Sequence, residues 1–321
     1  MKQRVFVTHK LPGKEIDKLK EDFEVDVWSD KDIGRKDLID KVKGVDGIIS
    51  LLTEKIDKEV MDAAGENLKV IANYAVGFDN VDCEEADKRK IVVTNTPGVL
   101  TESVAEHAIG LMFSVMKRIT EGDKFIREGK FAGWEPDLLV GTGVRDKVLG
   151  VVGLGRIGRW TVKLANSLGM KVIYHSRTRD EEYEEMEGVV YHSLEQLLEM
   201  SDVVSLSVPL HDDTKGMIGK KELKLMKRSA VLINTARGGV VEEKDLIEAL
   251  KGGVIAGAGL DVFWDESKIP VDLIKLQNVT LTPHIASATI EARLSMAKLA
   301  VDSVRSVLLG RMPEMVVNMK K

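Results

Sequence analysis

The sequence predicts an α/β protein built from two doubly wound parallel sheets. Three observations carry this. Short apolar runs alternate with charged, helix-periodic segments along nearly the whole chain, which implies parallel sheets covered on both faces. A strand, a glycine-rich turn and a helix follow one another at Val148–Gly158. The turn Thr96-Pro97-Gly98 then interrupts the alternation and divides the chain into two such patterns. With 321 residues there is room for two cores.

In the first hundred residues, strands are expected at 5–8, 25–28, 47–51, 68–73 and 91–94. Helices are expected at 13–20, 36–42 and 56–63. The turn through Tyr74-Ala75-Val76-Gly77-Phe78 follows the carboxyl end of a strand, where open α/β sheets place ligands. Gly77 there leaves N–H groups open to an anion. An ordinary loop with a helix N-cap at Asp79 or Asp82 reads equally well. A long helix begins near Thr101 or Ser103, with Ser103 and Glu106 at capping-box spacing. Its apolar stripe is Val104, Ala108, Leu111, Met112 and Val115. His107 reads as a packing or hydrogen-bonding residue. Residues 129–147 are irregular and carry Phe131 and Trp134.

The second pattern opens on Gly153-Leu154-Gly155-Arg156-Ile157-Gly158. Gly153 permits the turn, Gly155 lets the backbone approach a pyrophosphate, and Gly158 allows close packing of the helix on the sheet. The helix N-terminus favours the phosphate charge. Further strands are expected at 171–175, 189–191, 203–207, 230–234, 254–260 and 279–282, with helices at 194–199, 220–226 and 244–250. A last helix at 288–309 repeats Ile290, Leu294, Ala297, Val301, Val304 and Leu308. It is long enough to return to the first pattern. The expected organisation is therefore a Rossmann cofactor domain, residues 99–287, inserted into a flavodoxin-like substrate domain of residues 1–98 and 288–321.

Composition narrows the function classes. The chain is 44% hydrophobic and 31% charged, with a net charge of −5, so no basic footprint suggests nucleic acid or an anionic membrane. The charged fraction hints at heat tolerance through surface ion pairs. No apolar run has transmembrane length, and Met1 leads directly into a strand pattern, so neither a membrane span nor a signal peptide is expected. The single cysteine, Cys83, reads as structural and fits a reducing cytoplasm.

Three features follow strands in the second half. Arg237, in Asn234-Thr235-Ala236-Arg237-Gly238-Gly239, could grip a carboxylate in a two-point fork. Carboxylates follow the next strand in Asp261-Val262-Phe263-Trp264-Asp265-Glu266. His284 follows the last in Pro283-His284-Ile285-Ala286. The carboxyl ends of parallel strands share one edge, so Arg237, Glu266 and His284 can converge. Singly, each also reads as a surface ion pair, a solvated acid or a capping histidine.

Together with Ala75–Asp82 and Asn95-Thr96-Pro97-Gly98, these segments resemble the D-isomer-specific 2-hydroxyacid dehydrogenase family along nearly the full chain. The glyoxylate/hydroxypyruvate reductase branch is the most similar. The resemblance implies NAD(P)H-dependent reduction of a small 2-oxo acid. It implies that Arg237 binds the substrate carboxylate and carbonyl, that His284 is the general acid and that Glu266 pairs with it. Leu51, Val76 and Gly77 would line the substrate site. Cofactor contacts would come from residues 153–158, Ser176, Arg177, Thr178, Val208, Pro209, Thr235, Ala236, Arg237, Asp261, His284 and Ala286, with Asp261 at the nicotinamide amide. No metal is implied. The family's proline after the catalytic glutamate is Ser267 here. The helix from Ser103 and the arm through Trp134 suggest a homodimer. Alternatives are a phosphoglycerate dehydrogenase-like enzyme and a non-catalytic nucleotide-sensing scaffold.

Cofactor choice is read at the end of the strand 171–175. An NAD-preferring site places Asp or Glu there, against the ribose 2′-OH. Here Ser176-Arg177-Thr178-Arg179 stands instead, and Asp180 comes only after both arginines. NADP(H) is therefore expected to be preferred, with NAD(H) usable. Alternatively, the arginines pair with Asp180, Glu181 and Glu182.

Overall fold

A computed structural model describes residues 2–29 and 32–319. The chain forms two compact units, Met1–Leu100 with Ala288–Lys321, and Thr101–Ser287.

The smaller unit holds β1 (Arg4–Val7), β2 (Glu24–Val27), β3 (Gly47–Ser50), β4 (Val70–Asn73) and β5 (Val92–Thr94). They lie in the order β2-β1-β3-β4-β5, all parallel. Phe6, Ile48, Ile71 and Val93 are fully buried, as expected for strands covered on both faces. The helix Ile290–Leu308 belongs to this unit, and Thr289 caps it by accepting the Ala292 N–H. Ala297, Val301, Val304 and Leu308 are buried, but Ile290 and Leu294 are exposed, so the apolar stripe is longer than the face it buries. A Cβ on Gly47 would sit 3.2 Å from Val304, so the glycine lets this helix lie close on β3. Asp82 is a helix N-cap: its carboxylate accepts the Glu85 N–H at 2.9 Å and starts the helix Cys83–Lys88.

The larger unit holds β6 (Val148–Val152), β7 (Lys171–His175), β8 (Val190–Tyr191), β9 (Val203–Leu206), β10 (Val231–Asn234), β11 (Gly257–Leu260) and β12 (Val279–Leu281). The order β12-β11-β10-β9-β6-β7-β8 is parallel throughout. The direction of winding reverses between β6 and β9, which makes that crevice the switch point where such sheets bind ligands. The helix Thr101–Met116 packs on β10 and β11. Side chains on Gly257 and Gly259 would collide with its Val115 and Leu111 at 2.8 and 2.9 Å.

The capping box expected at Ser103 does not form. The helix has already begun at Thr101, and the buried Ser103 hydroxyl donates to the Ala286 carbonyl at 2.7 Å. A second helix, Ile119–Arg127, precedes the irregular stretch and buries none of its residues. Beyond it, Phe131 and Trp134 are exposed, Trp134 by 84%. No helix among the described residues is long and apolar enough to cross a membrane.

Candidate active site

Every strand of the larger unit points the same way, so the loops after β6, β9, β10, β11 and β12 share one edge. The glycine turn after β6 lies at the switch point. Gly153 has φ +100°, and a Cβ there would meet the Ser207 carbonyl at 2.7 Å and Val208 at 2.9 Å. A Cβ on Gly158 would lie 2.0 Å from the Gly153 carbonyl, so the third glycine serves the turn itself as well as the sheet. A Cβ on Gly155, by contrast, would meet nothing within 4 Å. The helix Arg156–Ser167 starts here without a side-chain cap. The N–H groups of Arg156, Ile157 and Gly158 have no acceptor among the described residues. A tight turn, open space at its middle glycine and uncapped helical donors fit a pyrophosphate. Leu154 is buried in the core, so only its backbone borders that space. Val208 is half-buried and Pro209 exposed in the loop after β9.

After β10, the buried Asn234 shapes the next loop. Its Oδ1 accepts the Ala236 N–H and its Nδ2 donates to the Arg237 carbonyl, both at 3.0 Å. Arg237 is half-buried, and its Nη1 donates to the Ala236 carbonyl at 2.8 Å. Gly238 allows this loop to touch the one after β11, since a Cβ would lie 1.9 Å from the Phe263 carbonyl group.

His284 sits in the left-handed region at φ +52°, which a non-glycine residue keeps only when its surroundings enforce it. Asp261 does so. Its carbonyl accepts the His284 N–H at 2.9 Å. Its carboxylate accepts the Ile285 and Ala286 N–H groups at 2.9 and 2.8 Å and the Thr282 hydroxyl at 2.6 Å, and His107 Nε2 lies 3.4 Å away. Burial would push the Asp261 carboxyl up, but the bonds from His107, Thr282 and the two N–H groups outweigh it and hold the group below its ordinary value. The side chain has no exposed surface. In this arrangement the carboxylate is a clamp on the histidine turn. Ala286 has both backbone polar groups engaged, its N–H with Asp261 and its carbonyl with Ser103.

His284 Nδ1 meets Glu266 Oε1 at 2.7 Å. The loop carrying Glu266 lacks the usual proline, but Asp265 Oδ1 accepts both the N–H and the hydroxyl of Ser267, at 3.0 and 2.6 Å. Residue 267 is thus tied by hydrogen bonds where a ring would have fixed it.

At the end of β7, Ser176 donates to the Thr178 carbonyl. Arg179 pairs with Glu184 and Glu181, and Asp180 pairs with Arg159. Arginine pairing with the following acids is thus found for Arg179. Arg177 is exposed and makes no ion pair among the described residues. In the smaller unit, Leu51 follows β3 and its N–H is taken by Glu54, while Val76 and Gly77 follow β4.

The family model described as "D-isomer specific 2-hydroxyacid dehydrogenase, NAD binding domain" matches residues 109–286. The chain belongs to the D-isomer specific 2-hydroxyacid dehydrogenase family. It is 49% identical to a glyoxylate reductase of Thermococcus litoralis, over 99% of this chain and 97% of the relative. Among solved structures, the TT0316 protein of Thermus thermophilus superposes with a TM-score of 0.93 at 44% identity, covering 98% of this chain and 100% of the other. An NADPH-dependent glyoxylate/hydroxypyruvate reductase of Sinorhizobium meliloti, solved with NADP and malonate, gives 0.88 at 34% identity, covering 99% and 97%. The chain is an oxidoreductase of this family, with a nicotinamide-dinucleotide fold in its larger unit. Sequence reasoning left Asn234, Asp265 and Thr282 without a task. Asn234 and Asp265 lie inside the motifs around Arg237 and Glu266, and Thr282 stands directly before Pro283, but their work is to hold the loops.

Proposed function

We propose that the protein reduces a small 2-oxo acid, glyoxylate or hydroxypyruvate, to the 2-hydroxy acid. The observation that carries this reading is the 2.7 Å His284–Glu266 pair at the sheet edge that also bears the glycine turn. The bound dinucleotide supplies a hydride. Residues 153–158 hold its pyrophosphate, and the loops at Val208-Pro209 and Thr235-Ala236 border it. As the carbonyl oxygen gains negative charge, the Arg237 guanidinium stabilises it and His284 Nε2 delivers a proton. Glu266 accepts from the Nδ1–H, so Nε2 is the nitrogen from which the doubly protonated ring gives up its proton. Val76 and Gly77 offer N–H groups to the substrate carboxylate, and Leu51 contributes its side chain. The curated relatives named glyoxylate reductase support this substrate class.

For the cofactor, NADP(H) is the preferred form and NAD(H) is usable. With Asp180 and Arg179 already paired, Arg177 is the cation left for a 2′-phosphate. The test is kcat/KM with NADPH and NADH for wild type and Ser176→Asp. NADPH preference that falls in the variant is expected; a wild type preferring NADH, or an unchanged ratio, rejects the assignment. A homodimer through the exposed arm at Phe131 and Trp134 is part of the same proposal. Sedimentation as a monomer at micromolar concentration would exclude it. The half-buried Cys83 thiol, pushed up by burial and by Asp87 and Asp82 to about 11, is poorly reactive and fits a reducing cytoplasm.

A further inference from the structure

In the turn after β4 three successive carbonyls are each tied to a donor. The Thr96 N–H donates to the Ala75 carbonyl at 2.9 Å. Asn95 Nδ2 donates to the Val76 carbonyl at 2.7 Å, and Asn73 Nδ2 donates to the Gly77 carbonyl at 2.8 Å. Asn73 and Asn95 are both buried. Asn73 is itself fixed, because its Oδ1 accepts from Ser50 and from Asn80 Nδ2, each at 3.2 Å. All peptide bonds in the described residues are trans. In a planar trans peptide the N–H points opposite to the carbonyl. Tying down the carbonyls of residues 75, 76 and 77 therefore turns the N–H groups of Val76, Gly77 and Phe78 each away from the partner of its own peptide's carbonyl. Those three N–H groups have no acceptor among the described residues, and all three residues are only half-buried.

We infer that Asn95 and Asn73 are positioning residues: their amides orient the Gly77 and Phe78 N–H groups, which together with the Val76 N–H, set by Thr96, form a row of main-chain donors that binds the carboxylate of the substrate. This rests on the reading of the protein as a 2-oxo acid reductase. The asparagines touch no substrate. They act by presenting N–H groups already turned outward, so that little reorganisation accompanies binding. Asparagine suits the task because its amide nitrogen donates without bringing a charge. An aspartate of the same size would place a carboxylate against a carbonyl oxygen and drive the peptide to flip.

The experiment uses the full chain and Asn95→Asp, with glyoxylate as substrate and oxamate as a non-reacting carboxylate. The KM for glyoxylate and the inhibition constant of oxamate should each rise roughly ten- to a hundredfold, the scale of losing hydrogen bonds to a charged group. NADPH affinity and kcat at saturating substrate should change far less, since an interaction equal in ground and transition states acts on KM. Should Asn95→Asp not fold, Asn73→Asp tests the neighbouring donor with the same readouts, because it keeps the acceptor for Ser50 and Asn80 and loses the donor to the Gly77 carbonyl and to Asn80 Oδ1. Unchanged KM and oxamate inhibition in a folded variant would overturn the positioning role. A wild type that turns over no 2-oxo acid would overturn the reading on which it rests, and the two failures are distinguishable.

Discussion

The two units present different kinds of groups at the carboxyl ends of their sheets. On the proposed reading, the chemistry of the larger unit lies in side chains: Arg237 after β10, Glu266 after β11 and His284 after β12. In the smaller unit it is proposed to lie in main-chain N–H groups after β4, whose peptides are held by buried asparagines. The supporting residues differ accordingly. A fully buried carboxylate, Asp261, gathers N–H and O–H donors and forces His284 into a left-handed turn. Uncharged amides do the reverse, gathering carbonyls and freeing N–H groups. A site that must place a proton donor is held by an acceptor. A site that must offer donors to an anion is held by other donors.

The largest expected effect breaks the side-chain half of this contrast. His284→Ala should lower kcat by about 10²- to 10⁴-fold, the usual contribution of a general acid, while NADPH binding followed by fluorescence stays near wild type. A smaller effect sharpens the role of the clamp. Asp261→Asn leaves one donor of the histidine turn without its acceptor, a cost of about 1–3 kcal/mol. Because the Asp261 carboxyl is held below its ordinary value in the folded chain, its stabilisation is present above the unfolded value of about 3.9 and is lost as pH falls through the lower folded one. The difference in Tm between wild type and Asp261→Asn should thus be full at pH 7 and narrow below about pH 4. A gap independent of pH would mean that the charge contributes nothing.

The contrast also explains what the sequence made legible. The sheets, the glycine turn and the strand ends bearing Arg237, Glu266 and His284 follow from local periodicity and short spacing, which survive in a linear reading. The lone Arg177 beside the paired Arg179 was not separable, because a run of alternating arginines and acids does not say which charges meet. Ser103 looked like a cap because its spacing to Glu106 is right; its tertiary bond to Ala286, 183 residues away, overrides that local signal. Asn95 and Asp261 stand within recognisable motifs and Asn73 at a strand end, but what they do depends on backbone direction, which no residue pattern encodes. Ser267 read as a departure from the family, and its compensation by Asp265 required the loop geometry.

The most direct test of the central claim is glyoxylate-dependent oxidation of NADPH by wild type and His284→Ala side by side, with cofactor binding measured on the same samples. The account predicts steady turnover to glycolate in the wild type and its near loss in the variant, with both proteins binding NADPH alike. A wild type that binds NADPH but consumes none with any small 2-oxo acid would contradict it and favour a nucleotide-sensing scaffold. So would a His284→Ala variant that turns over at the wild-type rate, which would remove the histidine from the chemistry.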